Sequence, residues 1–202
     1  RIPPDSTYKI YDALLGLESG IITPEHSSMA WNGEHFSYSA WENDQDLNSA
    51  MQNSVNWYFQ TMDSQLGLNK IQEFLNEIEY GNQTTSSNLK LYWSDFSLKI
   101  SPIEQVELLK KFNTNGFHLH SQNVLSVKNA IKIVGTSDGT FYGKTGTGCI
   151  DGQDINGWFI GYIETSDNIY YFATNIQSDS NATGKKALEI TSAILKKLHI
   201  WN

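Results

Sequence analysis

The chain has 202 residues, a formal net charge of −8, 39% hydrophobic and 12% aromatic residues, and one cysteine. Such a composition describes a single globular domain with a substantial core. No apolar run approaches the roughly 20 residues that a bilayer-spanning helix needs, and no signal peptide is legible, so the fragment reads as soluble. The acidic balance, with only 14 scattered lysines and arginines, excludes nucleic acid as a partner, and a single Cys149 excludes an internal disulfide framework.

The first predicted element starts near Pro4 and stops at Gly20. Ile10, Ala13, Leu14 and Leu17 recur at helical spacing, and the glycine follows where a helix is expected to end. This places Ser6 and Lys9 in a first turn, three residues apart and therefore neighbours. Free N–H groups and the positive end of the helix dipole favour an oxyanion forming beside Ser6. The pair thus fits an acyl-accepting serine with a lysine base. Asp5 or Ser6 as an ordinary N-cap, with Lys9 on the surface, is the alternative. The same spacing recurs at Ser87 and Lys90, inside the polar run Gln83 to Asn88, where a solvated loop is expected.

Ile21 to Asp46 has no sustained period but carries Trp31, Phe36, Tyr38 and Trp41, and is expected to be an ordered excursion packed on the body. Asp46 caps a second helical pattern through Leu47, Ala50, Met51, Val55, Tyr58 and Met62, which contains Ser54-Val55-Asn56. Ser54 and Asn56 can serve one site only if the chain turns, or a helix begins, near them. A short amphipathic helix follows over Asn69 to Ile78, closed by Tyr80-Gly81-Asn82. Ser101-Pro102-Ile103-Glu104 is a capping-box start, with Val106, Leu109 and Phe112 as the buried stripe. A further helix is expected from about Ser121 to Val134, with Val124, Val127, Ala130, Ile131 and Val134 inward. His118 and His120 lie before it, and with no carboxylate cluster nearby no metal site is expected.

The period then changes. Thr140 to Gly148, Trp158 to Glu164 and Ile169 to Ile176 read as strands of an antiparallel meander, and a last helix spans Gly184 to Leu198, with Leu188, Thr191, Ile194, Leu195 and Leu198 on one face. Cys149 is expected to be a small buried residue. Helices, then strands, then a helix predict an α+β fold, an antiparallel sheet flanked by helices with a mainly helical subdomain. Lys144-Thr145-Gly146-Thr147-Gly148 on an edge strand can bind a carboxylate and offer free backbone groups to a substrate amide.

Ser-x-x-Lys, Ser-x-Asn, Tyr-Gly-Asn and Lys-Thr-Gly, in this order, resemble the motifs of β-lactamases and penicillin-binding proteins. Pro4 to Ile10, Gly16-Leu17-Glu18, Tyr92-Trp93 and Gly157 to Gly161 narrow the resemblance to class D β-lactamases. They resemble still more closely the extracellular penicillin-sensor domains of BlaR/MecR signal transducers. The resemblance implies a serine β-lactamase-like domain over 1–202, lacking N-terminal strands present in a parent chain. It implies that β-lactams acylate Ser6, that Lys9 is the base, and that Ser54 relays a proton. Lys144, Thr145 and Thr147 would hold the drug carboxylate, with Gly146 between them. Lys9 could carry a CO2-derived carbamate, held by Trp93; no other cofactor is implied. Asn56 stands where class D hydrolases usually have Val, and its hydrogen bonding is expected to favour loss of that carbamate, leaving a persistent acyl-protein.

The expected function is therefore a β-lactam sensor that signals induction of resistance. The domain would be a monomer on the extracellular face of a bacterial membrane, in an anchored parent with a zinc-protease portion. The alternatives are a class D β-lactamase with turnover and a non-catalytic interaction domain on the same scaffold.

Overall fold

Three helices begin where a side chain satisfies the free N–H groups of the first turn. Asp46 and Ser49 cap α2 (Leu47–Gln52) reciprocally, Ser101 and Glu104 do the same for α5 (Pro102–Asn113), and Thr183 accepts from Lys186 N–H at the start of α7 (Gly184–Lys197). Each such cap contributes about 1 kcal/mol. The computed structural model describes residues 1–201. Its remaining helices are α1 (Lys9–Glu18), entered through a 3-10 turn over Asp5–Tyr8, α3 (Asn56–Leu66), α4 (Leu68–Glu77) and α6 (Ser121–Ala130).

The strands form one antiparallel sheet in the order β1 (Lys132–Thr136), β2 (Gly139–Ile150), β3 (Gln153–Glu164) and β4 (Ile169–Gln177). β3 is buried on both faces. Trp158, Ile160 and Tyr162 join the main core with α1, α3, α5 and α6, while Phe159 and Ile163 pack with Ala187 and Leu195 of α7. The period of two along β3 thus divides the sheet between a helical subdomain and a single covering helix. Full burial of large apolar side chains such as these contributes about 1.5–3 kcal/mol each.

The predicted α+β architecture and the meander are present, with four corrections of detail. The helix expected to reach Val134 ends at Ala130, and the β-branched run Lys132-Ile133-Val134 instead pairs with β2 through a tight hairpin, leaving Val134 40% exposed. The stripe of α5 is rotated, burying Gln105 and Leu108 along with Leu109 and Phe112, while Val106 is only half-buried. On α7 the inward residues are Ala187, Thr191 and Leu195, whereas Ile194 and Leu198 face out. The single helical pattern after Asp46 is two helices, broken at Asn53-Ser54-Val55.

Candidate functional site

That break is what assembles the site. Ser54 takes a left-handed backbone (φ 55°), an uncommon conformation for serine, and Asn56 opens α3 directly after it. The turn swings the Ser54 carbonyl, the Ser54 hydroxyl and the Asn56 side chain toward the same point, the condition under which the sequence allowed both residues one site. At that point lies the Lys9 amine, fully buried in the first turn of α1.

Lys9 Nζ is 2.8 Å from Ser6 Oγ, 2.9 Å from the Ser54 carbonyl oxygen, 3.3 Å from Ser54 Oγ and 2.5 Å from Asn56 Oδ1. The carbonyl oxygens of Ser54 and Asn56 only accept, so each takes one amine proton. In a neutral amine the lone pair is then left for the Ser6 hydroxyl. Burial pushes the Lys9 amine well below its usual range, helped by the nearby charge of Lys144 and opposed by Asp12 and Asp5. Removal from water disfavours the ammonium form, which suits an amine that is to accept a proton. The Phe59 ring, 5.4 Å from Nζ, forms part of the apolar surround.

Lys144 approaches Ser54 from the other side. Its amine donates to Ser54 Oγ at 2.9 Å and to the Thr145 carbonyl at 3.0 Å, and burial pushes it down to about 7. Ser54 therefore sits between two buried amines, which suits a hydroxyl that passes a proton. β2 carries Lys144 to Gly148 directly beneath the nucleophile turn. A Cβ at Gly146 would stand 3.0 Å from the Pro4 carbonyl oxygen, and one at Gly148 would stand 2.8 Å from Asp5 Oδ2, so a side chain at either position would force its neighbour to shift. Thr147 Oγ1 accepts from the Gly184 N–H at 2.9 Å, tying the strand to the start of α7.

Ser6, Ser54, Asn56, Thr145, Gly146 and Thr147 line one cleft of about 350 Å³. Lys9 lies below its floor, and Lys144 lines an adjoining cavity of about 380 Å³ bounded by α2 and the end of α6. Trp93 is not in the cleft wall. It is 3% exposed, lies roughly parallel to the Tyr8 ring, and its carbonyl accepts the Asp5 N–H at 3.0 Å, so it supports the turn carrying Ser6 from behind.

Sequence reasoning missed Tyr38, Trp41 and Asp154 as cleft residues. Of the aromatic excursion expected to pack on the body, Trp41 packs against the core, whereas Tyr38 is 64% exposed. The excursion is fastened to the site by two indole N–H groups, Trp41 donating to the Asn53 carbonyl at 3.0 Å and Trp57 to the Trp41 carbonyl at 2.9 Å. Aromatic density was the only signal available there, since no periodicity exists. Cys149 is a correction: it is exposed and borders the cleft, because a bulge between Gly148 and Cys149 shifts the register with β3 and the strands run on past the core, Cys149 pairing with Asp154. Tyr80-Gly81-Asn82 stays outside the cleft. Asn82 accepts the Lys99 N–H and donates to the Ser97 carbonyl, which pins the segment leading into α5.

Comparison with known proteins agrees over nearly the whole chain. The model of the penicillin binding protein transpeptidase domain matches residues 1–196. "Regulatory protein BlaR1" of Bacillus licheniformis is 47% identical over all of this chain, which spans only 33% of that protein's length. The solved C-terminal domain of the Bacillus licheniformis BlaR penicillin-receptor superposes with a TM-score of 0.96 at 46% identity, covering 100% of this chain and 81% of that one. Class D β-lactamase BAT-2 superposes with a TM-score of 0.93 at 34% identity, covering 100% and 83%.

Proposed function

The chain belongs to the penicillin-binding protein transpeptidase family, and from that premise we propose that it is the β-lactam sensor domain of a BlaR/MecR-type signal transducer. Ser6 Oγ attacks the β-lactam carbonyl as its proton passes to the Lys9 amine. The N–H groups of Ser6 and Thr147 face the oxyanion. When the ring C–N bond breaks, the proton returns from Lys9 through Ser54 Oγ to the departing nitrogen, which leaves Ser6 acylated and Lys9 neutral. Lys144, Thr145 and Thr147 hold the drug carboxylate, with Gly146 allowing the strand to lie close.

The observation that carries the choice of sensor over hydrolase is Asn56 Oδ1, 2.5 Å from Lys9 Nζ. A carbamate on Lys9 would supply the base that activates a deacylating water. Its two oxygens need donors, and the fixed oxygens of Ser54 and Asn56 around Nζ suit an amine instead. The arrangement therefore favours acylation without a base for deacylation, and the acyl-protein persists as the signal.

The relatives' length supports a parent with further parts, since this chain covers a third of BlaR1. In this reading the parent is membrane-anchored, carries a zinc-protease portion, and presents the domain, as a monomer, on the extracellular face. Among the described residues no helix is long and apolar enough to cross a membrane. β4 pairs only with β3 among the described residues, and its open edge supports the addition of upstream strands of the parent to a single domain over 1–202. The test is intact-protein mass against time after mixing with excess benzylpenicillin. A one-drug adduct lasting for hours is the expected result; a fleeting adduct with steady consumption of drug would establish a hydrolase instead.

A further inference from the structure

Directly before the nucleophile stands an acid that the acylation steps do not use. Asp5 is 2% exposed and its backbone is left-handed (φ 49°). Its Oδ2 accepts from Asn156 Nδ2 at 2.7 Å, while Oδ1 is buried without a partner. Asn156, on β3, donates its other amide proton to the Pro3 carbonyl at 3.1 Å, and its Oδ1 accepts from Asn175 of β4 at 2.8 Å, which fixes the amide's orientation. Gln177 in turn donates to Asn175 Oδ1 at 3.1 Å. A ladder of side-chain amides thus runs across two strands and ends on the residue that supplies the Asp5–Ser6 peptide, whose N–H is one of the two proposed oxyanion donors.

The groups around Asp5 offer a charge little support. β2 presents the Gly148 backbone and Cys149, β3 presents Asn156, whose donated hydrogen bond favours the anion but is outweighed by burial, and the segment after α4 presents the Trp93 carbonyl and Ser94. From α1 only Lys9 favours a negative Asp5, and burial disfavours the charged form of that amine. Burial pushes the Asp5 carboxyl up to about 8, so it is mostly uncharged at neutral pH.

We propose that Asp5 is a positioning residue for Ser6, held by Asn156, whose carboxyl must be uncharged for Ser6 to be acylated. Neutral, it seats the nucleophile turn against Gly148. Ionised, it places negative charge beside the peptide that must stabilise an oxyanion, and acylation slows. The inference rests on the acyl-serine reading above.

The test compares the second-order rate of benzylpenicillin labelling of the wild-type protein and Asp5→Asn from pH 6 to 9. Asparagine copies the uncharged acid and can still accept from Asn156. Titration of Lys9 and Lys144 is common to both proteins and largely cancels in the ratio of rates. That ratio of variant to wild type is expected to rise about tenfold by pH 9, because one pH unit above the midpoint leaves about one carboxyl in eleven protonated. A ratio constant with pH overturns the inference. Denaturant unfolding gives an independent reading. A carboxyl raised above its unfolded value of 3.8 contributes stability that is lost as pH rises from about 4 to 8, so Asp5→Asn should gain on wild type over that range; a difference independent of pH also overturns it. A protein labelled at no pH removes the sensor reading and this inference together, whereas labelling with a flat ratio removes only the inference.

Discussion

Ser6 with Lys9 and Ser87 with Lys90 share one sequence spacing and have opposite surroundings. Ser87 and Lys90 are both exposed in the loop after α4, and no hydrogen bond joins their side chains. Lys90 meets its neighbours through its backbone, the N–H donating to Asn88 Oδ1 at 3.2 Å and the carbonyl accepting from Gln60. Lys9 is fully buried, with four oxygen contacts within 3.3 Å and an amine kept well below its usual pKa range. The shared spacing places serine and lysine three residues apart in both places, but only burial and the approach of other elements lower the Lys9 amine's pKa and fix its aim.

Five substitutions sharpen this contrast, and the largest effect is expected at the serines themselves. Ser6→Ala should abolish the benzylpenicillin adduct seen by mass spectrometry, whereas Ser87→Ala should label like wild type; an adduct on Ser6→Ala would remove Ser6 as nucleophile. Next, Lys9→Gln should slow acylation by about 10²–10⁴, the usual contribution of a positioned general base, while Lys90→Gln leaves the rate alone. Equal rates for the two variants in a stopped assay would break the comparison. The smallest expected effect is at Asn56. Asn56→Val removes the acceptor that engages the amine, and the acyl lifetime, followed by the decay of adduct mass, should shorten about tenfold, or ~1.4 kcal/mol in barrier. An unchanged lifetime would show that Asn56 does not set it.

Much of this was legible because it is local. A helix places residues three apart as neighbours wherever it forms, so Ser6 and Lys9 could be paired from spacing alone, and the capping boxes at Asp46 and Ser101 mark helix starts through contacts within three residues. The strands were marked by the loss of the helical period and by β-rich, aromatic segments punctuated by turn residues, and Lys144 to Gly148 by glycines that permit close approach. β1 was missed because Ile131 and Val134 also fit a helical stripe, and only pairing with Thr140 to Tyr142 selects the strand. The cleft roles of Tyr38 and Trp41 were hidden for a similar reason: their segment has no period, and its position is fixed by indole hydrogen bonds to distant carbonyls.

By itself, then, the sequence determined which side chains were available for acyl transfer and which of them were neighbours along one helix or strand. Tertiary structure alone decided their charge and aim. The left-handed turn at Ser54, the approach of Lys144 from β2 and the amide ladder from Asn175 through Asn156 to Asp5 join residues 19 to 151 positions apart. Burial, which disfavours the charged forms of Lys9 and Asp5, depends on every element packed around them, and no spacing within a chain encodes it.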